Sequence, residues 1–71
     1  MPQRDYVDSS NLVWIEYDQG AFVLRIGFHD DAEYEYLDGP RVTYENLMIA
    51  PSKGKFLHQY IAGHFQYRRL R

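Results

Sequence analysis

The stretch Ala21–Phe28, AFVLRIGF, decides the fold. Phe22, Leu24, Ile26 and Phe28 fall on one side of an extended chain, with Val23, Arg25 and Gly27 on the other. A period of two marks a half-buried strand, because successive side chains of a strand point to opposite faces. Just before it, Leu12–Tyr17 is nearly continuously apolar, with SSN on one side and DQG on the other. Such a run between turn formers also reads as a strand. Just after it, HDD (29–31) makes a turn without the glycine of the strongest hairpin signals. AEYEYL (32–37) then alternates again, Tyr34 and Tyr36 on one face and Glu33 and Glu35 on the other. Connections this short predict a three-stranded antiparallel meander.

At LDGP (37–40) the period changes. Asp38 is placed to cap a helix and Pro40 suits its first turn. Val42 or Tyr44, Leu47 and Met48 recur at helical spacing through Ala50, and Pro51 stops the run. A second helix is expected from about Ser52, with Phe56, Leu57, Tyr60, Ile61 and Phe65 as its apolar stripe. The expected fold is α+β: a three-stranded antiparallel meander followed by two α-helices packed on one sheet face, the other face being wet.

The chain has 71 residues and no cysteine, so neither a disulfide nor a cysteine-based zinc site can staple its small core. Seven tyrosines, four phenylalanines and one tryptophan compensate, each able to bury roughly 150–250 Å². No apolar run is long enough to cross a membrane, and MPQRDYVDSS lacks the apolar middle of a secretory signal, so a cytoplasmic protein is expected. The formal charge of −2 argues against general nucleic-acid affinity, but it conceals a split. Residues 1–36 carry two arginines against eight carboxylates, and residues 37–71 carry six basic against two acidic residues. That split is compatible with local anion binding, or with the two halves attracting one another in the fold.

In order and spacing, DSSN (8–11), Tyr17-Asp18, Leu24–Phe28, YEY (34–36), Tyr44, LM (47–48), SKG (52–54), Phe56, Ile61 and YRR (67–69) resemble the KTSC domain. The resemblance covers about residues 7–70 and so describes residues 1–71 as a single domain of that kind. The family takes its name from a position at the C-terminus of some lysyl-tRNA synthetases and also occurs as small free-standing proteins of bacteria and phages. The resemblance implies a compact domain for which RNA binding has been proposed. This chain departs from the pattern at Asp30-Asp31, where Asn-Gly is common, and at His58, where Asn is common. It departs again at Ala62 and His64, where arginine is expected, and at Trp14, where a small residue is usual.

Two places could carry binding. Ser52, Lys53, Gly54 and Lys55 open the second helix, where free N–H groups and the helix dipole favour an anion such as a phosphate. No upstream glycine makes this a phosphate loop of the Walker type. The bland alternative is that Gly54 packs beneath a tyrosine and the lysines are simply solvated. In HFQYRRLR (64–71) aromatic and arginine residues interleave, which suits base stacking and phosphate pairing. The alternative, favoured for Phe65, is that Phe65 and Tyr67 plug the core and the arginines form a soluble, partly frayed tail. Arg68 and Arg69 are equally placed to pair with Glu33 or Glu35, while Tyr34 and Tyr36 are expected in the core. Val13, Ile15 and Tyr17 are the expected core face of their strand. Trp14 then joins Val23 and Arg25 on the wet face, a candidate protein-interaction patch unless the segment around Tyr6 and Val7 covers it. His29, His58 and His64 lack metal-ligand spacing. The expected function is a non-enzymatic binding module without metal or cofactor, contacting RNA or another phosphate-bearing partner. The alternative is a protein-interaction module or homodimer acting through the face around Trp14.

Overall fold

A computed structural model describes residues 3–71; Met1 and Pro2 of the expected domain lie outside the described residues. The fold is α+β, but the antiparallel sheet has five strands where three were expected. They are β1 (Arg4–Tyr6), β2 (Leu12–Asp18), β3 (Val23–Phe28), β4 (Glu33–Tyr36) and β5 (Tyr67–Arg69), in that spatial order. The expected meander is β2–β3–β4, the centre of the sheet. Each edge strand is three residues long, RDY and YRR, too short and too polar to display a period of its own. Between β4 and β5 the chain forms α1 (Arg41–Ile49) and α2 (Lys53–Phe56), and α2 runs directly into a π-helical turn, Leu57–Ile61.

The core lies between the sheet and these helices. Leu12, Ile15, Tyr17, Leu24, Ile26 and Tyr36 meet Leu47, Leu57 and Ile61. A bulge between Leu12 and Trp14 puts an extra residue, Val13, opposite the Phe28–Gly27 step of β3. Leu12 therefore joins Ile15 and Tyr17 on the core face in place of Val13, because one added residue reverses the alternation. Phe22 also departs from expectation. It sits in the β2–β3 turn at φ 55, is 56% exposed, and its carbonyl accepts the Gly39 N–H at 2.8 Å. Asp18 Oδ1 holds that turn by accepting the N–H groups of Gly20 and Ala21. In the β3–β4 turn Asp31 takes the left-handed conformation (φ 69) that glycine would adopt freely, and Asp30 Oδ1 accepts the Ala32 N–H at 3.1 Å.

The helices end where local chemistry requires. Asp38 does not cap α1: it adopts φ 56, and Pro40 occupies the N-cap position. Ser52 does cap α2, its hydroxyl oxygen accepting the Lys55 N–H at 3.4 Å. The π turn is closed by Ala62 N–H donating to Leu57 O at 2.7 Å, and Gly63 at φ 83 then takes the chain out of the helix. Phe65 accordingly reaches the core from the following loop, and Tyr60 packs at a tilt on Phe56 with half of its surface exposed.

The back of the sheet is not a bare wet face. Trp14 is only 6% exposed. Its indole lies on Gly27, where an added Cβ would collide with the ring, and the Arg4 guanidinium covers it at 3.7 Å. Beside it a row of alternating charges crosses all five strands. Arg4 meets Glu16 (3.8 Å), Glu16 meets Arg25 (3.4 Å), Arg25 meets Glu35 (2.9 Å), and Glu35 accepts from Arg68 Nε at 3.1 Å and also from its Nη2. Register makes this possible. Arg4↔Glu16, Glu16↔Arg25, Arg25↔Glu35 and Glu35↔Arg68 are each direct cross-strand partners, so their side chains share a face.

The Glu35 carboxyl is held below its ordinary value of 4.5, chiefly by hydrogen bonds from Arg68, with burial opposing and Arg25 assisting. A carboxylate whose folded pKa is depressed stabilises the fold fully above the unfolded value and loses that contribution as the pH falls through the folded one. Denaturant titrations across pH 7 to 2 should show a stability step beginning near pH 4.5 that is missing in Glu35→Gln. That variant should be less stable by about 1–3 kcal/mol at neutral pH. Identical pH profiles for the two proteins would contradict the assignment.

Candidate nucleic-acid interface

The C-terminal residues form a strand with two unlike faces. β5 pairs with β4 as Tyr36↔Tyr67, Glu35↔Arg68 and Tyr34↔Arg69. Arg68 therefore faces the back with Glu35, while Tyr67 and Arg69 face the front with the other tyrosines. Backbone bonds fix the strand at both ends: Leu37 N–H donates to Gln66 O at 2.8 Å and Leu70 N–H to Glu33 O at 2.7 Å. An Arg71–Glu33 ion pair at 3.5 Å adds to them.

On the front an aromatic row steps outward from the core. Tyr36 is buried, Tyr34 half-buried, and Tyr67 58% exposed. Tyr67 stacks on Tyr34 with ring centroids 5.6 Å apart and planes within 13°, and Phe28 meets the edge of Tyr34 at 5.6 Å. The Arg69 guanidinium lies 5.7 Å from the Tyr34 ring centre, its Nε donating to Arg71 O at 3.1 Å. Tyr36 is a core residue as expected; Tyr34 is only half so. The sequence reading missed Tyr67 as an extension of that pair. The signal lay in YRR itself, whose Tyr-x-Arg alternation matches the Tyr-x-Tyr of β4 once the two strands are paired.

At the start of α2, Gly54 packs against Asn11 and not beneath a tyrosine: a Cβ there would lie 2.6 Å from Asn11 Nδ2. Lys53 Nζ donates to Ala50 O at 3.2 Å. Ser52, Gly54 and Lys55 line a shallow cleft of about 750 Å³ with Ser10, Asn11 and His58. The Asn11 carbonyl accepts the His29 N–H at 3.1 Å, and His29 Nε2–H donates to Ser9 O at 2.8 Å, so this cleft borders the β3–β4 turn. Arg69 pairs with Tyr34, one residue from the β4 end of the same turn. Both basic places thus lie at one end of the sheet, although no single cleft joins them.

The expected patch on the other face differs from its reading. Trp14 and Val23 are buried and Arg25 is held between Glu16 and Glu35, so the exposed anchor expected at Trp14 is covered. Among the described residues no group of three or more histidines and carboxylates could hold a metal ion. No helix among the described residues is long and apolar enough to cross a membrane.

The family model for the KTSC domain matches residues 8–65, more than three quarters of the chain and all of β2, β3, β4 and both helices. This chain belongs to the KTSC domain family. A crystal structure of a KTSC domain protein from Yersinia pestis superposes with a TM-score of 0.96 at 37% identity, covering 100% of both chains. A lysine–tRNA ligase of Trichormus variabilis is 37% identical over 54 residues, 76% of this chain and 10% of the ligase. One of Nostoc punctiforme is 33% identical over 63 residues, 89% of this chain and 11% of the ligase. The chain spans about a tenth of the length of the curated relatives it matches. The family match stops short of both edge strands of this KTSC domain, whereas the Yersinia structure covers the whole chain.

Three tyrosines of this KTSC domain resist ionisation. Burial raises Tyr17, with Arg41 opposing and Asp18 adding. Burial followed by Tyr34 and Tyr67 raises Tyr36, and burial followed by the hydrogen bond to Asp5 raises Tyr44. Folded values above the unfolded 10.0 mean that stability is complete below pH 10 and declines as the pH rises through the raised values. An ultraviolet titration of tyrosinate should resolve these three as a late group that appears together with unfolding. All seven tyrosines ionising as one set in the folded protein would contradict it.

Proposed function

We propose that this KTSC domain is a small, non-enzymatic, cytoplasmic binding module for RNA or another phosphate-bearing partner. The contacts come from the start of the second helix, Ser52 to Lys55, and from the C-terminal strand. The observation that carries this reading is the distribution of paired and unpaired charge. Arg4, Arg25, Arg41, Arg68 and Arg71 each have a carboxylate partner. Among the described residues Lys53, Lys55 and Arg69 have none, in a chain whose net charge is −2. Unneutralised cations on an acidic protein favour a local anion over general polyanion binding. Arg68 acts on the sheet through Glu35, so Arg69 makes the contact from the strand. Kinship with a segment of lysine–tRNA ligases, enzymes whose name includes an RNA, supports RNA as the partner. The protein-interaction reading has no comparable support, because its anchor Trp14 is buried.

Three cations neutralise few phosphates, so affinity should be modest and should fall about twentyfold between 50 and 200 mM salt. A titration of labelled single-stranded RNA by anisotropy at low salt tests this. Lys53→Glu combined with Lys55→Glu should weaken binding at least about tenfold. No binding by the wild type, or binding indifferent to both substitutions, would overturn the reading.

A further inference from the structure

We infer that the front of β5 is a stacking platform for unpaired nucleobases, so that the ligand is single-stranded RNA and not duplex or simple polyphosphate; this rests on the phosphate-binding reading above. Among the described residues four aromatic side chains are more than half exposed: Tyr6, Phe22, Tyr60 and Tyr67. Tyr6 stands on the back, on the strand of Arg4, which Glu16 already neutralises. Phe22 lies in the β2–β3 turn, and Tyr60 leans on Phe56, with no arginine stacked on either ring. Tyr67 alone of these has an arginine without an ion pair, Arg69, two residues away on the same face of its own strand.

The platform is built rather than accidental. Tyr67 lies parallel on Tyr34, Tyr34 is braced by the Phe28 edge and flanked by Tyr36, and the strand beneath is tied to β4 by backbone bonds at both ends. Its aromatic ring is thus held in place before any ligand arrives, and one side faces solvent. A nucleobase laid on Tyr67 continues the stack of Tyr34 outward, in a row whose Tyr34 ring already carries the Arg69 guanidinium at 5.7 Å. Bases of a duplex are already stacked on their neighbours and present no free face, so the platform discriminates against them.

The test compares three probes of this protein: a ten-nucleotide oligoadenylate, the same strand annealed to oligouridylate, and linear polyphosphate. The wild type should bind oligoadenylate most tightly. Tyr67→Ala should lose about tenfold for oligoadenylate and nothing for polyphosphate, whereas Tyr67→Phe should bind like the wild type. Tyr67→Leu, which keeps bulk without a π face, should behave as Tyr67→Ala does and guards against a folding defect, with thermal unfolding as the control. Equal binding of single strand and duplex, or folded Tyr67→Leu binding oligoadenylate as the wild type does, would overturn the platform while leaving phosphate binding intact. Failure of all three probes to bind would remove the phosphate reading itself and the platform with it.

Discussion

A carboxylate that is 4% exposed, Glu35, ties the molecule together from behind. It accepts from Arg25 on one neighbouring strand and from Arg68 on the other, so two guanidiniums satisfy both of its oxygens. A buried carboxylate left without such partners would be strongly unfavourable, which makes its two arginines interdependent. The interaction therefore decides more than local stability. It sets the register of β5 on β4, and that register decides which residues of HFQYRRLR reach the front.

From this constraint follows the division of labour among the basic residues. A strand fixed with Arg68 behind must present Tyr67 and Arg69 in front, because the period of a strand is two. Arg68 is thereby used by the fold and Arg69 is left free of carboxylates. The same logic closes the opposite end of the back face, where Arg4 lies over Trp14 and pairs with Glu16. The split between an acidic first half and a basic second half is in good part the sheet holding itself together. The charge that remains for a partner is small.

Much of the fold was legible in the chain. AFVLRIGF and AEYEYL announced β3 and β4 by alternation, and Pro51 and Ser52 marked the break between the helices. What escaped had physical causes. β1 and β5 are three residues each and derive their structure from pairing, not from any pattern of their own. The bulge at Val13 shifted the face of β2 through a backbone irregularity to which no side chain testifies. Gly63 ended the second helix early and so removed Phe65 from the expected stripe. Of the candidate site, Ser52 as cap and the choice between ligand and carboxylate for the arginines were visible in advance. That Arg68 and Arg69 would be divided between those two roles was not, because it depends on a register set by Glu35. Trp14 was placed on the correct face, with cover by the segment around Tyr6 and Val7 left as the alternative; β1 supplies that cover, through Arg4 over the ring and Tyr6 paired with Trp14.

The claim that Glu35 anchors the C-terminal strand is tested most directly by residue-resolved hydrogen exchange on the wild type and Glu35→Gln. Exchange under native conditions separates local opening from global unfolding. If Glu35 is the anchor, the amides of Leu37 and Leu70, which bond across β4 and β5, should lose protection far more than those of Ile15 and Ile26 in the sheet centre. Equal loss at all four positions, or unchanged protection at Leu37 and Leu70, would contradict it.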